Sequence, residues 1–272
     1  MREELVQLIL ARLNADEGRL KTEFQVSQQE VGVRYCVIDD LLPAETAQRI
    51  SEAFPSIEKM RLMDSFRERK YTSKKFEQFD PLMADITFAF QDSLVVAAVE
   101  AITGIRRQIP DSSLYAGGLS AMTPGHFLGP HIDNSHDGGR QNYRTLNLLF
   151  YVTPGWQSES GGHLELWNND VTRSAIVESR FNRLVLMETT PTSWHSVNPV
   201  RADGVRRCVS NYYFSPNSPT GTDYFNITAF SARPEQKLLR IVAWADSKLR
   251  QTLRRLVPHG LGRKDVFKGP PH

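Results

Sequence analysis

The chain has 272 residues, a formal net charge of +2, 24% charged residues and 40% hydrophobic residues. That mixture excludes a disordered, collagenous or fibrous protein, and so small a charge gives no ground for a nucleic-acid partner. Two cysteines, Cys36 and Cys208, do not make a disulfide framework, so a reducing, cytoplasmic setting is expected.

The opening MREELVQLILARL sets Leu5, Leu8 and Ile9 at helical spacing and carries acids at once, which reads as an amphipathic helix and not a secretion signal. VGVRYCVIDDLLP (31–43) predicts a strand ending at Pro43, after which a helix carries Ala47, Ile50 and Phe54. One long helix is expected from Asp80 to Gly104. Asp80 suits the N-cap, Pro81 the first turn and Gly104 the stop, with Leu82, Ile86, Phe90 and Val99 on one stripe. LVVAAVEAI (94–102) is too short to span a bilayer. Residues 1–110 therefore read as a helical support region with one early strand.

Residues 111–216 change character. SLYAGGLSAM, GHFLGPHID, RTLNLLFYVT, GGHLELW, SAIVES, RLVLME, SWHSVNPV and VRRCVSNYYF are short β-rich runs between Gly, Pro and Asn turns. Such a series, without helical crossovers, predicts a sandwich or jelly roll. Residues 217–272 read as a C-terminal extension, with a loop over 217–232 and a helix over 233–257 between Pro234 and Pro258. Leu238, Val242, Ala245, Leu249, Leu253 and Leu256 form its apolar stripe, and Arg240, Lys248, Arg250, Arg254 and Arg255 make it basic. The expected arrangement packs this helix on the β-core with a solvated outer face. A peripheral contact with a membrane surface or an acidic partner is the alternative. The NIT sequon at 226–228 carries no weight without a secretion signal.

The chemistry starts at GPHIDNSHDGG (129–139). A strand has a side-chain period of two, so His131 and Asp133 share a face. An imidazole beside a carboxylate can take two corners of a metal octahedron, and His195 in a later β-run is the best third ligand. Two His and one carboxylate make the facial triad of non-haem Fe(II) oxygenases. His126, His136, His163, His259 and His272 have no comparable partners and read as surface or packing residues. His163 is expected to point away from the inward Leu164. Beyond His195, Arg206 and Arg207 enter a strand that otherwise reads as core. A buried arginine needs an anion, either the far carboxylate of a dicarboxylate cosubstrate or an acid of the protein itself.

The ordered set over 111–216 resembles the prolyl 4-hydroxylase-like branch of the Fe(II)/2-oxoglutarate-dependent dioxygenases. It comprises Pro124–Gly125, the HxD at His131 and Asp133, the RTLNLLFYVT strand, the GGHLELW turn and strand, FNRLVLME, His195 and Arg206. The resemblance implies a mainly β (α+β) fold, a double-stranded β-helix core with N-terminal supporting helices and a C-terminal helix. It implies Fe(II) on His131, Asp133 and His195, and 2-oxoglutarate held by Arg206 and Tyr151, with Leu164 and Asn147 facing the cosubstrate. It implies O2 as the oxidant and ascorbate as the reductant that keeps the iron active. The implied reaction hydroxylates an unactivated C–H bond while 2-oxoglutarate becomes succinate and CO2.

Three departures bear on this. The connection to Arg206 is slightly long, so Arg207 stays a rival. Cys208 and Met122 replace a common serine and tyrosine, which bears on the substrate. A prolyl residue in a peptide, an amino acid, a natural product and a lipid-linked sugar all stay open, as does the oligomeric state. Rival outcomes are demethylation or desaturation at the same site, a zinc hydrolase, or a jelly-roll binding module without catalysis.

Overall fold

A computed structural model describes residues 1–256 except Ala116, with side chains to residue 252. In chain order the helices are α1 (Arg2–Ala15), α2 (Glu17–Val26), α3 (Gln28–Val31), α4 (Ala44–Ala53), α5 (Pro81–Ala89), α6 (Ser93–Thr103) and α7 (Lys237–Leu256). The strands are β1 (Tyr35–Ile38), β2 (Arg61–Asp64), β3 (Glu68–Ser73), β4 (Ile109–Pro110), β5 (Gly118–Met122), β6 (Phe127–Ile132), β7 (Tyr143–Tyr151), β8 (Leu164–Trp167), β9 (Ser174–Val177), β10 (Arg183–Glu188), β11 (His195–Val197), β12 (Arg206–Ser215) and β13 (Ala229–Phe230).

Each of the eight predicted β-rich runs forms a strand, β5 to β12. They order as β10-β7-β12-β5 on one side and β6-β11-β8-β9 on the other, antiparallel throughout. This is a double-stranded β-helix, in which consecutive strands alternate between two facing layers except at the β8–β9 hairpin. β1 extends the first layer beside β10.

β7 shows why the layers form. Its residues alternate, as the pleat requires. Leu146, Leu148 and Phe150 face outward into a core shared with Leu5, Ile9, Leu20, Ile50, Ile86 and Val99 of the helices. Asn147 and Leu149 face inward and line a cavity of about 670 Å³ between the layers. A strand buried on both faces loses the hydrophobic/polar alternation that marks a half-exposed one, which is why RTLNLLFYVT reads as near-continuous apolar sequence.

Three expectations fail here. The single helix over 80–104 is two helices, α5 and α6. Asp80 caps the first through Leu82 N at 2.9 Å, and Asp92 caps the second through Leu94 N at 2.9 Å. The pair bends by 44° at the break. One stripe could not follow both the helix and the curved sheet, and Asp92 supplies a second start signal. Among the described residues no single helix is long and apolar enough to cross a membrane.

The N-terminal region also holds more than one strand. β2 and β3 form a hairpin, and β3 pairs with β5 through Tyr71 opposite Ala121 and with β6 through Arg69 opposite Phe127. The hairpin thus bridges the edges of the two layers. Its sequence RLMDSFRERKYTS is too charged to show a strand period. The layer edges supply its backbone partners, and that tertiary pairing decides its conformation.

α7 begins at Lys237, after Pro234, and its apolar stripe does not pack on the core. Leu238, Val242 and Leu249 are 81%, 52% and 62% exposed. Arg240 and Arg250, expected on its outer surface, turn toward the body of the protein, Arg240 to the carbonyls of Asp170 and Val171 and Arg250 to the Phe230 ring. Leu253, Arg254, Arg255 and Leu256 lie beyond the described side chains, and Pro258, His259 and His272 beyond the described residues.

Candidate metal centre and anion pocket

β6 and β11 are neighbours, and their register sets His195 directly opposite His131. Asp133 lies two residues beyond His131, immediately after β6 ends. The ligand atoms of His131, Asp133 and His195 all lie within 4.8 Å of one another. His131 Nε2 is 3.6 Å from Asp133 Oδ1, and His195 Nε2 is 3.4 Å from Asp133 Oδ2. The Nδ1 atoms are occupied elsewhere, each 3.0 Å from the carbonyl oxygen two residues back, Gly129 for His131 and Ser193 for His195. That bond fixes the proton on Nδ1 and leaves the Nε2 lone pair aimed at the centre. Burial first, and then the adjacent His131, push His195 down to about 3, so its ring stays neutral at physiological pH. Three donors with free lone pairs on one side suit a divalent ion.

Asp133 is held in turn. Burial alone would raise its carboxyl, but the charge of Arg144, with His195 and His131, keeps it well below the usual carboxylate range. Arg144 Nη2 lies 3.0 Å from Oδ2, and Asn147 Nδ2 donates to Oδ2 at 2.9 Å. Arg144 Nε donates to Asn147 Oδ1 at 3.0 Å, and its guanidinium covers the Tyr212 ring at 3.6 Å. The connection expected as a loop over 217–232 returns to the centre. Asn226 Nδ2 donates to the Asp133 carbonyl at 2.8 Å, and Phe230, on the short strand β13, stacks on His131 with centroids 5.3 Å apart.

Across the cavity lies Arg206. It is buried, its guanidinium sits 4.7 Å from the Tyr151 ring centroid, and Nη2 approaches Ser179 Oγ at 3.5 Å. Arg206 Nε and Tyr151 Oη are both buried without a hydrogen-bond partner. Buried donors are rarely left so, and no acid of the chain neutralises this arginine among its described contacts. A carboxylate is what such a pair fits. Burial pushes the Tyr151 phenol up to about 12, so it remains a donor. Gly162 makes room for Arg206, and Gly161 before it lets the backbone pass Pro199. Both have positive φ, +68° and +70°, and a Cβ on Gly162 would meet Val200 at 3.0 Å and Arg206 Cγ at 3.4 Å. Leu164 follows, buried and lining the cavity.

The register separates the two arginines. Arg207 points the other way, to α4, where Nη1 donates to Ser51 O at 3.1 Å and Ser51 Oγ at 3.2 Å. Asn147 lines the cavity as expected, but its amide serves Asp133. His163 faces away from the cavity yet is buried, with Ser158 O and Ser179 N on its two ring nitrogens.

Sequence reasoning missed Arg144, Tyr212, Phe230 and Asn226. Arg144 carried a signal, since it opens an otherwise apolar strand just as Arg206 does. The others lie on loops or strand positions with no local mark.

Residues 117–215 match the model of the 2OG-Fe(II) oxygenase superfamily, the stretch that carries the His–Asp–His cluster. Over that stretch the chain is similar to the superfamily.

It is also similar to prolyl hydroxylases. A mouse prolyl 3-hydroxylase OGFOD1 is 30% identical over 88 residues, 30% of this chain and 16% of the relative. Rat Egl nine homolog 1 is 24% identical over 196 residues, 66% of this chain and 54% of the relative. The chain thus matches about half or less of the curated relatives' length. In fold it is similar to a Trichoplax adhaerens prolyl hydroxylase in complex with a hypoxia-inducible-factor peptide fragment, with a TM-score of 0.52 and 16% identity, covering 74% of this chain and 91% of that one. A Pseudomonas putida prolyl-4-hydroxylase gives a TM-score of 0.51 and 18% identity, covering 72% and 98%. That superfamily's two groups, Fe(II) and 2-oxoglutarate, fit the residues present: an O,N,N donor set at one end of the cavity, and at the other a buried arginine whose Nε, like the neighbouring Tyr151 Oη, has no hydrogen-bond partner.

Proposed function

We propose that the chain is an Fe(II)- and 2-oxoglutarate-dependent dioxygenase that hydroxylates an unactivated C–H bond of its substrate. The observation that carries this reading is the His131–Asp133–His195 cluster opening into the same cavity as Arg206, whose Nε and whose neighbour Tyr151 Oη are buried without hydrogen-bond partners. His131, Asp133 and His195 would hold Fe(II) on one face, leaving the remaining corners of an octahedron to cosubstrate and oxygen. When bound, iron and 2-oxoglutarate supply the oxidising power, with succinate and CO2 as coproducts.

The chain's own residues bind and orient. Arg206 offers N–H groups to the far carboxylate of the cosubstrate, and the protonated Tyr151 donates a further hydrogen bond. Leu149, Leu164 and Val197 line the cavity with apolar surface and keep water from the reacting centre. Arg144 and Asn147 fix the orientation of Asp133 and keep it ionised.

The substrate is proposed to be a prolyl residue in a peptide with acidic neighbours. The likeness to prolyl hydroxylases supports the prolyl part. The cavity wall supports the acidic part. Apart from Arg144 and Arg206, it is lined by Arg61, Arg67, Lys70, Lys74 and Arg250, with Glu68 as the acid beyond Asp133. A positive mouth of this kind draws anions and repels cations.

The test is succinate release by anaerobically iron-loaded protein once oxygen is admitted. The wild type releases succinate and Asp133→Ala does not. Arg206→Gln needs roughly tenfold to hundredfold more 2-oxoglutarate, the weight of a hydrogen-bonded charge, while Arg207→Gln needs no more than wild type. No succinate together with no iron-dependent binding of 2-oxoglutarate would overturn the reading.

A further inference from the structure

α7 is an amphipathic helix mounted with its polar side inward. Its contacts with the body are hydrogen bonds and ion pairs. Asp246 takes Arg67 of the body at 3.2 Å, while Arg250 of the helix itself braces Asp246 at 2.9 Å. Ser247 Oγ meets the backbone N and O of Phe230 at 3.0 and 3.2 Å. Gln251 bonds Ile227 N at 3.0 Å and Phe225 O at 2.9 Å, and Arg240 donates to Asp170 O at 2.8 Å. Ala243 is the fully buried apolar residue on this side.

The outward side is apolar. Leu238, Ile241, Val242 and Leu249 are 81%, 66%, 52% and 62% exposed. With Ala245 they fall within an arc of about 100° on the helix. Along one edge of that arc run Lys237, Trp244 and Lys248, all exposed. Asp246 is the one acid among the described residues of α7, and it is turned inward. A continuous apolar stripe of this kind marks a surface that another phase or partner covers.

We propose that α7 docks the protein on an anionic lipid bilayer, lying in the interface with its apolar stripe in the acyl boundary and Lys237 and Lys248 at the headgroups. Charge decides between the candidate occupants. A second copy pairing through the same stripe would bring lysine-rimmed edges together, and the described part of α7 exposes no acid to receive them. An anionic surface is complementary, and exposed cations with a tryptophan beside a leucine-rich face are the composition of interfacial helices. The chain beyond residue 256 adds Arg263, Lys264 and Lys268 against Asp265. Because Arg250 of α7 lines the cavity mouth, docking brings that mouth within about one helix diameter, ~10 Å, of the lipid surface.

The experiment is co-sedimentation of the full chain with vesicles of phosphatidylcholine alone and of phosphatidylcholine mixed with phosphatidylglycerol. The wild type should pellet with the anionic vesicles and not with the neutral ones. Its fluorescence should shift to the blue on binding, a shift that Trp244→Phe removes. Val242→Glu with Leu249→Glu should abolish pelleting, and Lys237→Gln with Lys248→Gln should weaken it by roughly a factor of five per lysine. The substituted residues are exposed and outside the metal and anion pockets, so iron-dependent 2-oxoglutarate binding reports that each variant is folded. No pelleting of the wild type, pelleting unchanged by Val242→Glu with Leu249→Glu, or a solution dimer dissolved by those same substitutions would each overturn the proposal.

Discussion

Arg144 decides the state of the Asp133 carboxylate more directly than either histidine. It pairs with Oδ2 at 3.0 Å, is itself buried, and rests on Tyr212. Arg144→Gln should therefore weaken Fe(II) or Mn(II) binding by roughly tenfold to hundredfold, the usual loss when a ligand's supporting partner is removed, as read by metal titration. Asn147→Ala should act in the same direction, because it frees the same oxygen. His195 gives the pH dependence of the metal-free protein. Its folded pKa, about 3, lies below the ordinary 6.5, so the unfolded chain takes up a proton that the folded site refuses. This contribution to stability is complete above about 6.5 and is lost as the pH falls below it. Urea midpoints of chelator-treated wild type should decline through that window, and His195→Gln should decline less steeply.

Pairing between elements turns these residues into a site. The histidines meet because β6 and β11 are antiparallel neighbours in a register that places His131 opposite His195. A slip of one residue would turn His195 away from the cavity. Arg206 and Arg207 show the same rule within β12, where adjacent residues reach the cavity and α4 respectively. The HxD, the distal histidine and the eight β-runs were legible because they carry period and spacing. The bent α5–α6 pair was not, because Asp92 looks like an ordinary helix residue until its side chain is seen to cap Leu94. Asp92→Ala should lower stability by about 1 kcal/mol in thermal unfolding, a change that a single uninterrupted helix would not show at that position.

At the scale of the whole molecule, parts distant in sequence share one cavity. The hairpin β2–β3 supplies Arg61, Arg67 and Lys70, the jelly roll supplies the metal and anion groups, and α7 supplies Arg250. Arg67 and Arg250 both reach Asp246, so hairpin and helix are joined over the mouth. If the mouth selects by charge, proline peptides with acidic flanks should bind the metal-loaded protein with 2-oxoglutarate more tightly than matched peptides with basic flanks. The difference should shrink as salt rises and the Debye length falls from about 10 Å at 0.1 M to about 3 Å at 1 M. Fluorescence anisotropy with labelled peptides measures this. Equal affinities at low salt would remove the acidic part of the substrate proposal.

The sequence by itself determined the β-rich core, the order of its eight strands along the chain and the identity of the three clustered donors. These depend on local period, turn chemistry and a motif whose spacing is set by the strand pleat. It also named the arginines but left two in contention, because a strand's register is a relation between chains of atoms that only pairing fixes. The hairpin that bridges the layers, the pairing of Arg144 with Asp133, and the orientation of α7 came from tertiary structure alone. Each depends on which surface a charged or amphipathic segment meets. A helix presents both its faces in the sequence, and only the body it rests on decides which one turns to solvent.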